Sequence, residues 1–218
     1  IDVYDEMMEA GRRQQRWEDV FFQAQKYLNV YYKNQHNEAL VDIREIINDP
    51  RLIWDLQEIC IIDPYLSSKD ILDTVVFCEK RDIHIHCLTD LHTIVKNKEA
   101  SGEILEIEAS ESSKFESAKI KFRQLLEAAL PTDCDIDLSF RTVYSDYGSR
   151  FHDRYLILKY KINKTRVWSL GTSVNSIGKS HHIIQIVEAP TLIESFFDKV
   201  WHETDFQVCK IYESTDYK

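Results

Sequence analysis

Apolar positions change their period along the chain. Between Arg16 and Asn34, Trp17, Phe21, Ala24, Leu28 and Tyr31 or Tyr32 recur near one stripe at helical spacing. From about Glu38 to Asn48, Leu40, Ile43 and Ile47 repeat that spacing, and Asp49-Pro50 ends it because proline biases its predecessor out of the helical region. After Trp54 the pattern shortens. Glu58-Ile59-Cys60-Ile61-Ile62 reads as a buried strand that delivers Asp63 into a turn with Pro64 and Tyr65. Ser67 or Ser68 is then placed to cap a helix over the stretch KDILDTVVFCEKRD, with Asp70 in its first turn.

Ile83 to Leu88 reads as the next strand, with Ile83, Ile85 and Cys87 on one face and His84, His86 and Leu88 on the other. The stretch from Lys96 to Ser113 is polar and loop-like, with a short strand-like piece at Ile104 to Ile107. A long helix is predicted from roughly Ser112 to Leu130, stopped by Pro131. Strands follow at Ile136–Thr142, Tyr155–Tyr160, Arg166–Leu170 and Ile183–Val187, and a last helix runs from about Leu192 to Glu203. Strand–helix–strand units followed by closely spaced strands predict an α/β fold, a mixed sheet covered by helices. The expected organisation is an N-terminal helical extension over 1–50 and one sheet domain over 51–218. The aromatic stripe of the extension packs on that domain or serves as a partner surface.

Composition narrows the function. A net charge of -10 disfavours binding nucleic acid over the whole surface, though a local basic pocket can coexist with an acidic exterior. No apolar run approaches the roughly 18 residues needed to span a bilayer, and no signal segment is visible, so a cytoplasmic protein without a membrane partner is expected. Starting at Ile1, the chain reads as a domain of a longer parent or an edited product, with loss of a leader also open. Cys60, Cys78, Cys87, Cys134 and Cys209 are odd in number and widely spaced, which fits buried thiols in a reducing compartment better than a disulfide scaffold. His84 and His86, spaced i, i+2, could ligate a metal, but no carboxylate or cysteine at recognisable spacing completes a set, so neither metal nor cofactor is expected. Asp90-Leu91-His92 could lie at the mouth of a site without anything in the spacing requiring it.

Two segments carry chemistry. In F-H-D-R-Y-L-I-L-K-Y, His152 and Arg154 stand one pleat period apart before an apolar strand, where both side chains can share a face. Histidine can attack phosphorus, and the planar fork of arginine can hold two phosphate oxygens. In V-W-S-L-G-T-S-V-N-S-I-G-K-S, Gly171 permits close backbone approach, while Thr172, Ser173, Asn175 and Lys179 offer hydroxyl, amide and ammonium groups to an anion. Taken singly, either segment also reads as an ordinary ion pair or a polar turn.

Together these segments resemble the phospholipase-D superfamily, in particular its degenerate bacterial members. His152 occupies the family's histidine position, Arg154 its lysine and Lys159 its aspartate. Gly171 and Thr172 match the glycine and hydroxyl that follow, and Asn175 lies one residue beyond the usual asparagine place, held here by Val174. Asp63-Pro64-Tyr65 and His181-His182-Ile183-Ile184 add to the likeness, which covers roughly Trp54 to Glu203.

The resemblance implies a metal-independent phosphodiesterase, nuclease-like, with His152, Arg154 and Asn175 catalytic. Arg154, Thr172, Ser173 and Lys179 would hold phosphate, and Asp63 would support them. Family members use two such histidines, and this chain has one matching segment, so a homodimer is expected unless His181 or another histidine substitutes. Nucleic acid or another phosphodiester would be the substrate. Lys159 departs from the pattern, adding positive charge beside His152 where a carboxylate stands in the family; it is not expected to replace that group. The alternative is a catalytically degenerate module of a larger intracellular protein that binds a phosphate-bearing ligand or another part of its parent. Pure scaffolding through the aromatic N-terminal helices is a third reading.

Overall fold

The computed structural model describes residues 28–91, 95, 111–130, 136–143, 151–161 and 164–214. In chain order the strands and helices are β1 (Leu28–Tyr31), α1 (His36–Ile47), β2 (Leu56–Ile62), α2 (Ser68–Asp73), β3 (His84–Thr89), α3 (Glu111–Ala129), β4 (Asp137–Thr142), β5 (Tyr155–Tyr160), β6 (Lys164–Ser169), β7 (His182–Ile186), α4 (Pro190–Glu203) and β8 (Lys210–Glu213). The described strands form one mixed sheet in the order β1-β7-β6-β5-β2-β3-β4-β8. The β2–β3 and β3–β4 pairings are parallel, and the other described pairings are antiparallel.

Alternation along the strands divides the core in two. On one face Ile59, Ile61, Ile85, Leu138, Phe140, Leu156 and Leu158 pack with Ile43 of α1, Ile71 of α2 and Phe122 and Leu126 of α3. On the other, Cys60, Ile62, Leu88, Ile157 and Val167 pack with Phe197 and Val200 of α4. The mixed α/β sheet covered by helices is as the pattern predicts.

Several elements match their expected boundaries. Strand β5 coincides with its predicted span, and β3 alternates as predicted, with Ile85 and Cys87 in one core and Leu88 in the other. Ser67 caps α2 through a capping box: its side chain accepts from the Asp70 N–H, and Asp70 reaches back to the Ser67 backbone. Cys60, Cys78, Cys87 and Cys209 are buried and form no disulfide among the described residues.

Two expectations are corrected, and one strand is new. The helix predicted as far as Asn34 does not hold at its end, since Leu28–Tyr31 is an edge strand against β7, with Tyr31 opposite His182. Val30, Tyr31 and Tyr32 favour extended backbone, Asn34 turns the chain at φ 71°, and Tyr31 Oη anchors on Asp42 at 2.7 Å. Trp17, Phe21 and Ala24 lie outside the described residues. The helix predicted over residues 69–82 ends at Asp73, where the Thr74 hydroxyl bonds back to the Asp70 carbonyl and a single 3-10 turn follows. Strand β8 had no counterpart in the sequence reading; it pairs with β4 and closes that edge. The strand-like piece at 104–107, His92 and Cys134 also lie outside the described residues.

Candidate functional site

The sheet register brings distant segments together at one end. Tyr155 pairs with Ile62 on one side and with Ser169 on the other, so the residues just beyond these positions, Arg154, Asp63 and Leu170, gather at the carboxyl end of β2. The Leu170 N–H donates to the Arg154 carbonyl at 3.0 Å, fixing the start of the polar turn beside Arg154. The carboxyl ends of parallel strands are where open α/β sheets commonly place ligands.

Asp63 organises this end. It is fully buried and accepts from Ser173 Oγ at 2.8 Å, the Val174 N–H at 2.8 Å and the Tyr65 N–H at 2.9 Å. Burial pushes its carboxyl above the usual range, against the pull of these three hydrogen bonds and of the Arg154 charge. Asn175 Nδ2 donates to the Tyr65 carbonyl at 3.2 Å, and its own oxygen accepts from Ser176 Oγ at 2.7 Å. The turn after β6 is thus tied to the turn after β2.

Backbone conformation demands glycine in this turn. Gly171 has φ +68°, and a Cβ there would lie 2.5 Å from the Ile183 carbonyl oxygen. At the other end, the Gln35 N–H donates to the Gly178 carbonyl at 2.8 Å, and the His36 ring bonds the Ile177 carbonyl.

The predicted site residues fall into two groups. Arg154 is half-buried, its guanidinium 5.5 Å from the centre of the Tyr65 ring, and its Nε is buried without a hydrogen-bond partner among the described residues. His152 is exposed, Thr172 half-buried and Lys179 exposed, with side chains available to a ligand. Ser173, by contrast, spends its hydroxyl donor on Asp63, and Asn175 spends one of its two amide donors on Tyr65. His181 packs edge-on against the Tyr32 ring at 5.6 Å. Tyr65 supplies both a ring for Arg154 and a carbonyl for Asn175, roles that the Asp63-Pro64-Tyr65 run alone does not assign.

Lys159 is not beside His152. Arg154 and Lys159 are five positions apart on extended backbone, which separates their Cα atoms by roughly 16 Å at about 3.3 Å per residue. Lys159 meets Glu58 at 3.2 Å and Asp198 of α4 at 2.8 Å. Around them a second polar cluster forms on the α4 face, where Glu58 Oε1 also receives Cys60 Sγ at 2.9 Å and His86 Nδ1 at 3.0 Å. Burial pushes Glu58 upward, but the hydrogen bonds from His86 and Cys60 and the Lys159 charge outweigh it, holding its pKa at about 2. His84 turns away to Asp137 at 2.6 Å. Cross-strand neighbours on β2 thus provide His86 with a carboxylate and a thiol that spacing along one strand does not reveal.

No protein-family model matches the chain, and no curated protein does. Among solved structures, TrmBL2, an archaeal chromatin protein, is similar at 12% identity with a TM-score of 0.41, over 92% of this chain and 64% of that one. Polyphosphate kinase from Porphyromonas gingivalis is similar at 13% identity with a TM-score of 0.43, over 85% of this chain and 25% of that one. The chain spans less than two thirds of either structure, and at such scores neither likeness bears on function. No helix among the described residues is long and apolar enough to cross a membrane.

Proposed function

We propose that this chain is a phospholipase-D-like phosphodiesterase, nuclease-like and cytoplasmic, that works as a homodimer. The observation carrying this reading is the buried Arg154 Nε, which has no acceptor among the described residues, two residues from the exposed His152 at the carboxyl end of β2. A buried donor left unpaired costs free energy, and a phosphate oxygen would satisfy it with a charge-assisted bond. Lys159 does not count against the reading, because its charge is taken up by Glu58 and Asp198 on the other face.

In this mechanism His152 of one subunit attacks phosphorus, forming a nitrogen–phosphorus bond as the bond to the leaving oxygen breaks. His152 of the partner subunit gives that oxygen its proton. The partner's His152 then takes a proton from water, which displaces the first histidine and frees the phosphate. One side chain cannot stand on both sides of the phosphorus at once, and two-fold symmetry is the simplest way to provide the second. Arg154 from each subunit would hold the non-bridging oxygens, with Thr172 and Lys179 beside them. Ser173 and Asn175 would shape the turn rather than donate to phosphate, and Asp63 would hold that turn in place.

Mixing His152→Ala subunits with unaltered ones tests the shared cleft. Mixed dimers should fall far below half of the unaltered turnover on a phosphodiester substrate. Full turnover by a demonstrated monomer, or unchanged turnover by the His152→Ala homodimer, would overturn the mechanism.

A second reading, a degenerate module that binds a phosphate-bearing ligand within a larger protein, draws support from the donors that Ser173 and Asn175 have already committed. Under it, Arg154→Ala would abolish oligonucleotide binding while His152→Ala changed neither binding nor any turnover.

A further inference from the structure

The cluster on the opposite face of the sheet has a composition the phosphodiesterase reading does not use. Glu58 and Cys60 lie one pleat period apart on β2, and the parallel register places Cys60 opposite His86 on β3. One ligand atom from each of Glu58, Cys60 and His86 lies within 4.8 Å of the other two. We propose that Glu58, Cys60 and His86 bind a divalent transition-metal ion of the zinc class, independently of the His152 site.

Three features support the assignment. First, a carboxylate oxygen, a sulfur and an imidazole nitrogen are a donor set suited to zinc, whereas calcium and magnesium prefer oxygen alone. Second, tetrahedral zinc with bonds of about 2.0–2.3 Å separates its donor atoms by roughly 3.5 Å, so the observed 2.9 Å and 3.0 Å contacts need to open only slightly. Third, the ligands are already oriented. His86 stacks on Trp201 at 4.5 Å and Trp201 on Phe197 at 5.6 Å, while Cys60 is fully buried in the sheet. The side chains of His86 and Glu58 keep 23% and 22% of their surface exposed, leaving a route for the ion and for a water on the fourth position.

Lys159 is the competing cation. It contacts the same Glu58 oxygen, but its shorter contact is to Asp198, which retains it when an ion takes Glu58. The bound state is then electrically balanced. The ion's two positive charges meet the Cys60 thiolate and the Glu58 carboxylate, and Lys159 meets Asp198. Binding breaks the Cys60 S–H bond and releases its proton to solvent, the Nδ1 proton that His86 gives to Glu58 moves to Nε2, and the sulfur–metal and Nδ1–metal bonds form with no change of oxidation state.

Cobalt(II) is the probe, added to the reduced, full-length protein with circular dichroism confirming the fold. One equivalent should produce a thiolate-to-cobalt charge-transfer band in the near ultraviolet together with the visible bands of tetrahedral cobalt, and zinc should abolish both. Cys60→Ser and His86→Ala should weaken binding by more than about a hundredfold. Lys159→Gln should strengthen it by about tenfold, since a competing charge is removed from beside Glu58. That last variant distinguishes a metal site from a hydrogen-bonded cluster even if Cys60→Ser fails to fold. Absence of the thiolate band in the folded protein, its persistence in Cys60→Ser, or weaker binding by Lys159→Gln would overturn the assignment.

Discussion

Ser173 Oγ donates to Asp63 Oδ1 at 2.8 Å, joining two turns that lie 110 residues apart in the chain. The bond is buried, and the Val174 N–H reaches the other carboxylate oxygen at 2.8 Å. Asp63→Ala would leave that N–H, the Ser173 hydroxyl and the Tyr65 N–H without their acceptor, and should destabilise the fold by at least about 3 kcal/mol. Ser173→Ala removes one bond and should cost about 1.5 kcal/mol. Urea denaturation of the two variants tests the difference; equal losses would show that Asp63 does not organise the turn.

Asp63 also makes a prediction about pH. Its folded-state pKa is raised by burial, so the native state binds its proton more tightly than the unfolded chain does. Ionised Asp63 therefore weighs against folding above that raised value, and the penalty is relieved as pH falls through it toward the ordinary carboxylate value of about 3.9. Within this acidic window Asp63→Ala, which lacks the relief, should lose stability with falling pH more steeply than the unaltered protein. Denaturant midpoints measured at several acidic pH values give both slopes, and parallel slopes would contradict the raised value.

Lys159→Asp should lower stability without restoring or raising phosphodiesterase turnover per folded molecule. The substitution sets a carboxylate between Glu58 and Asp198 and removes their shared cation, a loss of about 3 kcal/mol by the scale of broken, partly buried ion pairs. The His152 end is out of reach of the change. Thermal melting and turnover should be measured together, since a clear gain in turnover would mean that Lys159 is coupled to that end after all.

Gly171→Ala should destabilise the fold by about 2 kcal/mol from left-handed backbone strain alone, with more added by the meeting of its Cβ with the Ile183 carbonyl. Its effect should extend to the proposed phosphate site, because Leu170 and Thr172 flank it. A thermal melt within a degree of the unaltered protein would show that the turn adapts.

The sequence by itself determined the elements whose signals are local. An apolar run followed by Asp63-Pro64, the Ser67–Asp70 cap, the alternation of β3 and the apolar stretch of β5 are each written within a few consecutive residues, where periodicity and capping chemistry operate. The sequence reading set Lys159 beside His152, and its ion pairs with Glu58 and Asp198 appear only in the fold. Only the tertiary structure decided what depends on pairing between distant segments. Four residues at β1 and four at β8 carry too little pattern to reveal a strand until β7 and β4 supply its hydrogen bonds. Asn175 and Ser173 read as ligands for phosphate until the register of β2, β5 and β6 brings Tyr65 and Asp63 to meet them. Glu58, Cys60 and His86 become neighbours only because β2 and β3 run side by side, and adjacency across a sheet is set by register rather than by distance along the chain.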